Sequence, residues 1–533
     1  MVHTICSNRR EQIGLSGLAL LFSILHFLSG VKAHRYYSAS PILSCIVLFF
    51  IYYLLLSLLF RWIDCQNECS PVSRSARSVF LLSFLFLFVC WLPYYIFSFP
   101  GNIAYDSVTA IQTHLGITKN INNPPFLNLL YGMVYRLGVL LGSFRISLAF
   151  FCTIQMLLYL FVYSYAMVLI SQSSAPVWFQ CSILLLYGLI PIFPMYALCM
   201  GKDSSLALPL LIFCLGIYEQ IHHENFYSSK FRTNIFFISC AMIPLMRNGA
   251  TFLIAVPLTV LLIYPRLTPP RKNNPQKAFL FCALTVSVLI GVFLPRLIAP
   301  CGPNISESLS IPFQQTAYCL RYYPLTDQEE EIISKVIPLD AFNEYNCRIS
   351  DPIKRHFLND ASTKDILNFL MVWLKQFFKH PISYCKAFYL HTDAYYTPGV
   401  LHSDIKPHIL CGPGGPSDFY QLVSWPKKNP GLLIISRIDQ LLSDTFGLRL
   451  LQSIGFYTWI VLFSVTYYIC KTPRKYAFLD LLSLIPAVMI LISCCFSPVN
   501  GYIRYAYPAI ICIPILCLLT LFPQKSASLG KEL

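Results

Sequence analysis

Run after run of about 20 apolar residues governs what this chain can become, because a helix needs that length to cross the hydrocarbon of a bilayer. Such runs fall at 13–30, 41–60, 79–99, 146–170, 177–197, 204–220, 234–247, 250–265, 278–298, 451–470, 477–496 and 507–522. Spanning segments must bond their own backbone groups, and runs of this length do so as helices. The fold class expected is all-α and integral to the membrane, with about twelve transmembrane helices. Charged residues make up only 12% of the chain, roughly half the share in a soluble protein. The pair 234–265 is interrupted by Arg247-Asn248-Gly249 and reads either as two short spans or as one broken helix.

Sidedness follows from lysine and arginine. With the N-terminus inside, the inner segments hold Arg9, Arg10, Arg61, Arg74, Arg77, Lys230, Arg232 and Lys471 among others, outnumbering the cations of the short outer segments by about two to one. Both termini are then cytoplasmic, in a multi-pass protein of the cytoplasmic (plasma) membrane. The stretch 125–141 could pass for a span, but counting it would put Arg266, Arg271, Lys272 and Lys277 outside. It is therefore expected at the membrane interface. The organisation expected is N-terminal spans over 1–99, then a first outer loop over 100–145 with interfacial helices at 106–116 and 125–141. Central spans follow over 146–298, a mainly helical outer loop domain over 299–450, and C-terminal spans with a short cytoplasmic tail over 451–533. Within the outer domain 327–336 and 361–380 read as helices, and the Pro/Gly-rich run 407–416 as loop.

Several function classes lose support. Most of the 21 cysteines lie inside apolar runs, where they act as small apolar side chains. The outer segment holds five (Cys301, Cys319, Cys347, Cys385 and Cys411), no closed disulfide set, and no CxxC pair occurs. Residues 13–30 read as an anchor, not a cleaved signal peptide. The net charge of +15 reflects cytoplasmic loop cations; no basic stripe or reader motif points to nucleic acid. Walker A, HExxH, GxSxG and Rossmann patterns are absent, and no inverted repeat speaks for secondary transport.

Acids in or beside spans are expensive and mark function. Outside 299–450, Glu11, Asp64, Glu68, Glu219, Glu224, Asp480 and Glu532 fall on the inner side, and only Asp106 and Asp203 on the outer. Lys202, Arg247 and Arg504 occupy short outer turns, on the side the charge rule disfavours. Each alone reads as a snorkelling cation; converging with two carboxylates at one depth, they make a phosphate site. Asp106 follows the Pro100-Gly101 turn and either caps the next helix or serves as a general base. Lys202-Asp203 reads as a helix-capping ion pair, or as lysine on phosphate with the aspartate orienting it or an acceptor. Gln314-Gln315 suits hydrogen bonding to a polar ligand such as a sugar. Arg504, flanked by Tyr502 and Tyr505, is either a phosphate clamp or an aromatic-belt anchor.

Taken in order, Phe99-Pro100-Gly101 to Tyr105-Asp106-Ser107, Gln112, Gly116, Asn123-Pro124-Pro125, Lys202-Asp203, Arg247-Asn248-Gly249, Ser308 to Gln315, His380-Pro381 to Tyr384, and Arg504-Tyr505 to Pro508 resemble the GT-C class of membrane glycosyltransferases. They resemble more closely a family of bacterial polytopic proteins related to that class. The resemblance implies a sugar donor on polyprenyl phosphate and an acceptor that is an envelope glycan, lipid or protein. It puts Asp106 in the role of base or metal ligand. Lys202, Arg247 and Arg504 would hold the donor phosphate; Asp203, Asn248, Gln314, Gln315 and Tyr505 would contact substrate. A divalent cation is the one cofactor left open, with Asp106 as its ligand. Asp106 is followed by Ser107 where many members have a second acid, and Asn123 stands where a histidine often precedes the proline. The rival expectations are a transporter or flippase of a lipid-linked glycan, and an assembly factor without catalysis.

Overall fold

The computed structural model describes residues 2–32, 41–68, 74–118, 123–223, 226–263, 274–298, 305–401, 430–472 and 478–523. Helices α1 (Val2–Lys32), α2 (Pro41–Glu68) and α3 (Ala76–Ser98) come first. Strand β1 (Asn102–Ile103) leads into α4 (Tyr105–His114), α5 (Pro125–Leu140), α6 (Phe144–Ser171), α7 (Val177–Leu189) and α8 (Ile192–Ala197). Strand β2 (Cys199–Met200) leads into α9 (Lys202–His222), α10 (Lys230–Met246), α11 (Thr251–Ile263), α12 (Asn274–Val288) and α13 (Leu294–Ile298). A helical domain follows, with α14 (Ser310–Leu320), α15 (Asp327–Ser334), α16 (Asp351–Lys354), α17 (Thr363–Lys379) and α18 (Pro381–Thr392). The last helices are α19 (Pro430–Asp444), α20 (Phe446–Gln452), α21 (Ile454–Lys471), α22 (Ile485–Cys494), α23 (Ile503–Ile510) and α24 (Ile513–Leu521).

Eight segments among the described residues are long and apolar enough to cross a membrane: Arg9–Ser29, Ile42–Asn67, Ala76–Ser98, Phe144–Ser171, Lys202–His222, Gln276–Leu297, Ile454–Lys471 and Ile503–Leu521. Three shorter apolar helices, α7, α11 and α22, accompany them. The chain is an all-α, multi-pass membrane protein. The exposed apolar side chains of α2, among them Leu43, Phe50, Leu54 and Leu58, are tolerable only against lipid. The 503–521 segment is the opposite, enclosed along nearly its whole length.

Local chemistry explains where the helices depart from the apolar runs. The run 177–197 breaks at Pro191, which ends α7 and leaves α8 as a separate short helix. The interruption at 247–249 does separate two helices, α10 and α11, with Gly249 at φ +75° in the turn. The last run begins earlier than its apolar core, at Ile503, so Arg504 sits in the first turn of α23 and not in a loop.

Residues 305–401 have a hydrophobic core of their own around Leu309, Phe313, Ile333, Val336, Phe369 and Val372. Capping boxes, Thr326 with Glu329 and Ser362 with Asp365, start α15 and α17, close to the helices expected at 327–336 and 361–380. The loop at 407–416 lies outside the described residues. Charges gather at the two ends of the bundle. At one end Lys471 lies 2.7 Å from both Glu11 and Asp64, Arg232 3.2 Å from Glu219, and His222 3.4 Å from Asp480. The other end bears the 305–401 domain together with Asp106, Lys202, Asp203 and Arg504.

Candidate functional site

Two strand-to-helix units build the site. β1 and β2 pair in parallel, Asn102 with Cys199 and Ile103 with Met200. Each strand runs straight into a helix, so α4 and α9 begin side by side. The Gln155 amide of α6 donates to the Ala197 and Cys199 carbonyls at 2.8 and 2.9 Å. Gly101, at φ +124°, turns the chain into β1 so close to α6 that a Cβ there would come within 2.4 Å of the Cys152 sulfur. Ser107 Oγ donates to the Met200 carbonyl at 2.6 Å, and Asn123 Nδ2 to the Asp106 carbonyl at 3.0 Å. Asp106, in the first turn of α4, thereby meets Lys202, the first residue of α9.

Arg504 completes the cluster from α23. Lys202 Nζ lies 2.7 Å from Asp106 Oδ2, and Arg504 Nη2 donates to that same oxygen. Arg504 Nε donates to Asp203 Oδ2 at 2.7 Å. Asp203 is 1% exposed, so Arg504 is the partner that makes its burial affordable. The Tyr502 and Tyr505 rings lie 5.8 and 5.7 Å from the guanidinium carbon, within cation–π range. Burial pushes the Asp106 carboxyl up, but the charges and hydrogen bonds of Arg504 and Lys202 outweigh it and bring it down to about 2. The N-terminal ends of α4, α9 and α23 all point here, and their dipoles favour anions.

The other sequence-assigned residues divide. Arg247 ends α10, and its Nη1 is buried without a hydrogen-bond partner among the described residues. Among the described residues Arg247 makes no ion pair with the Asp106–Lys202–Asp203–Arg504 network. Asn248 stands in the turn that follows. Gln314 and Gln315 lie inside the 305–401 domain, Gln315 bonded through both ends of its amide and Gln314 with its Oε1 buried and without a hydrogen-bond partner among the described residues. Gln314 donates to the Asn346 carbonyl at 2.9 Å; Gln315 accepts from Trp373 Nε1 at 2.9 Å and donates to the Tyr384 carbonyl at 3.2 Å. Gln155 and the Tyr131–Ser205 hydroxyl pair, 2.9 Å apart, were not singled out by the sequence reading. The signal for Gln155 was present: it is the one amide in the apolar run 146–170.

The domain is locked to the bundle through 497–501, just ahead of Arg504. Asn500 N donates to the Arg348 carbonyl and Ser350 N to the Pro498 carbonyl, both at 2.8 Å. Asn500 Nδ2 donates to Asp393 Oδ1 at 2.6 Å and to the Leu390 carbonyl at 3.1 Å. The domain thus holds the segment that aims Arg504.

A long apolar groove of about 1300 Å³ lies between α5, α6, α9 and α10; Asp106, Lys202, Asp203 and Arg504 do not line it. Ser204 and Ser205, directly after Lys202-Asp203, line its head; Glu219 and Arg232 line its far end. Its walls include the exposed side chains Met133, Phe150, Leu158 and Ile238, so it opens towards lipid. From Ser204 to Glu219 it follows α9 for about 22 Å.

Among the described residues no group of three or more His, Cys, Asp or Glu gathers as a metal site. The Arg504 guanidinium stands between Asp106 and Asp203.

Residues 118–532 match the model of a family described as of unknown function, DUF6020. The chain belongs to the DUF6020 family. Lys202, Asp203, Arg247 and Arg504 fall inside the DUF6020 match, and Asp106 precedes it. No curated protein and no solved structure matches the chain.

Proposed function

We propose that this protein is a membrane glycosyltransferase that moves a sugar from a polyprenyl-phosphate donor to a cell-envelope acceptor on the outer face of the membrane. The observation behind it is a pairing: an ion-pair network of two cations and two carboxylates at three helix N-termini stands at the start of α9, along which a lipid-open apolar groove runs from Ser204. A lipid-linked donor has that division, an anionic head at the interface and a hydrocarbon tail. Lys202 and Arg504 hold the phosphate, with Arg247 adding its unpartnered Nη1. The acceptor hydroxyl attacks the anomeric carbon, the bond from that carbon to the phosphate oxygen breaks, and the lipid phosphate leaves as an anion stabilised by the same cations. The hydroxyl proton passes to Asp106.

Asp106 is a poor base while both cations sit on it, since a carboxyl near 2 holds protons weakly. Donor phosphate competes for Lys202 and Arg504, and drawing them off raises the basicity of Asp106. The base is therefore armed by the donor. Lys202 and Arg504 already hold the Asp106 carboxylate, and Arg504 holds Asp203, so the residues present do not fit a divalent cation and no step is routed through one.

One observation favours the alternative, a flippase of a lipid-linked glycan: the groove reaches the Glu219–Arg232 pair at the other end of α9. Binding of polyprenyl monophosphate to the full chain in nanodiscs tests the common ground. Affinity should fall about tenfold in Lys202→Ala, and an unchanged affinity overturns the phosphate assignment. Transfer of label from a lipid-linked sugar to an acceptor, as against its movement between leaflets, separates the two readings.

A further inference from the structure

The 305–401 domain contains a polar cavity of about 330 Å³ that nothing described so far uses. Ser306 and Glu307 line it from the turn before α14; Asp351, Arg355, Phe357 and Asn359 line it from α16 and the chain after it. Lys354 sits in its wall, 2.6 Å from Glu307 and 2.8 Å from Asp351. Lys354 thereby holds two carboxylates of different elements at fixed spacing while each stays largely open to solvent, 42% and 51% exposed. The volume is that of a small-ligand site.

Its place in the fold ties it to the cluster. Ser350, the residue before Asp351, bonds the Pro498 carbonyl through its N–H at 2.8 Å and through its hydroxyl at 3.2 Å. The same segment runs on to Arg504. Tyr505 follows Arg504 directly, and its ring lies 5.7 Å from the Arg504 guanidinium carbon.

We infer that this cavity is the acceptor subsite, and that it takes a hydroxyl-rich unit of sugar type. Planar carboxylates and an amide pair with vicinal hydroxyls, Arg355 supplies donors, and Phe357 offers an apolar face to the C–H side of a ring. The cavity is polar and separate from the apolar groove, so it suits the water-facing end of an acceptor and not the lipid donor. This assignment rests on the transfer reading for its place in the reaction, but binding is measurable without it.

The test is saturation-transfer difference NMR on the full chain in nanodiscs, with free glucose, galactose, mannose, N-acetylglucosamine and arabinose as probes. At least one sugar should receive saturation, and Asn359→Ala and Arg355→Ala, both changes at exposed side chains, should reduce the effect at least fivefold. Asp106→Asn should leave it intact. No saturation with any probe, or saturation indifferent to both cavity variants, overturns the inference. Sugar binding that depends on Asn359 and Arg355 in a protein that transfers no sugar upholds the cavity and defeats the transfer reading. Transfer whose acceptor KM ignores both variants defeats the cavity alone.

Discussion

The Lys202 ammonium lies 2.7 Å from the Asp106 carboxylate, although the two residues open different helices. A two-residue parallel strand pair is what brings those helices side by side. Arg504 then joins Asp106 to Asp203, so four charges from three chain segments form one ion-pair network. Every element of that network is a helix start.

Arg504→Lys is not conservative. A lysine offers one charged nitrogen where Arg504 uses separate nitrogens on Asp106 and Asp203. Asp106 keeps Lys202, but Asp203, 1% exposed, has Arg504 as its ion-pair partner and is left short when the lysine stays on Asp106. Leaving a buried charge unpaired costs about 3–5 kcal/mol. Thermal unfolding in detergent should show a clear loss of stability, and an unchanged midpoint would mean the network is not as described.

The Asp106 carboxyl is depressed in the folded protein, to about 2. Its contribution to stability is fully present above the ordinary carboxylate range near pH 4 and is lost as pH falls through about 2. Infrared difference spectra between wild type and Asp106→Asn should therefore show an ionised carboxylate from pH 8 down to pH 4. A protonated carboxyl appearing near pH 5 would contradict the pairing.

Asn500→Ala removes three hydrogen bonds that tie the 305–401 domain to the bundle: two donated by its amide, to Asp393 and Leu390, and one accepted from Ala394. Asn500 is fully buried, so the loss should cost about 1–3 kcal/mol. Limited proteolysis should cut the domain faster, and donor affinity should fall with it because 497–501 aims Arg504. Equal protease resistance would show that the joint is held elsewhere.

Gly101→Ala tests the turn into β1. The residue has φ +124° and a new Cβ would meet the Cys152 sulfur at 2.4 Å, so strain and contact act together. The variant should reach the membrane in lower yield and unfold at lower temperature than wild type. Wild-type yield and stability would show that the strand pair tolerates displacement.

The membrane class was legible in the apolar runs because hydrocarbon permits so few backbone solutions. The gathering of Asp106, Asp203, Lys202 and Arg504 at one end was legible too, since uncompensated charge beside a span needs a reason. Their wiring was not. It depends on β1 and β2, too short to show alternation, and on Arg504 lying inside a helix that its apolar run did not announce. The groove requires the relative placement of α5, α6, α9 and α10, which no single segment encodes. A paired amide shows nothing in sequence of what it will bond: the Gln314 amide nitrogen goes to Asn346 and Gln315 to Trp373 and Tyr384, while Gln314 Oε1 keeps no partner among the described residues.

The most direct measurement is the envelope glycan profile, by mass spectrometry, of cells carrying wild-type protein or Asp106→Asn at matched membrane levels. Loss of a general base costs about 10²–10⁴-fold in rate, so one defined sugar should disappear from the profile in the mutant while the protein stays folded. An unchanged profile would contradict the account, removing Asp106 as the base and the Asp106–Lys202–Arg504 cluster as a transferase centre.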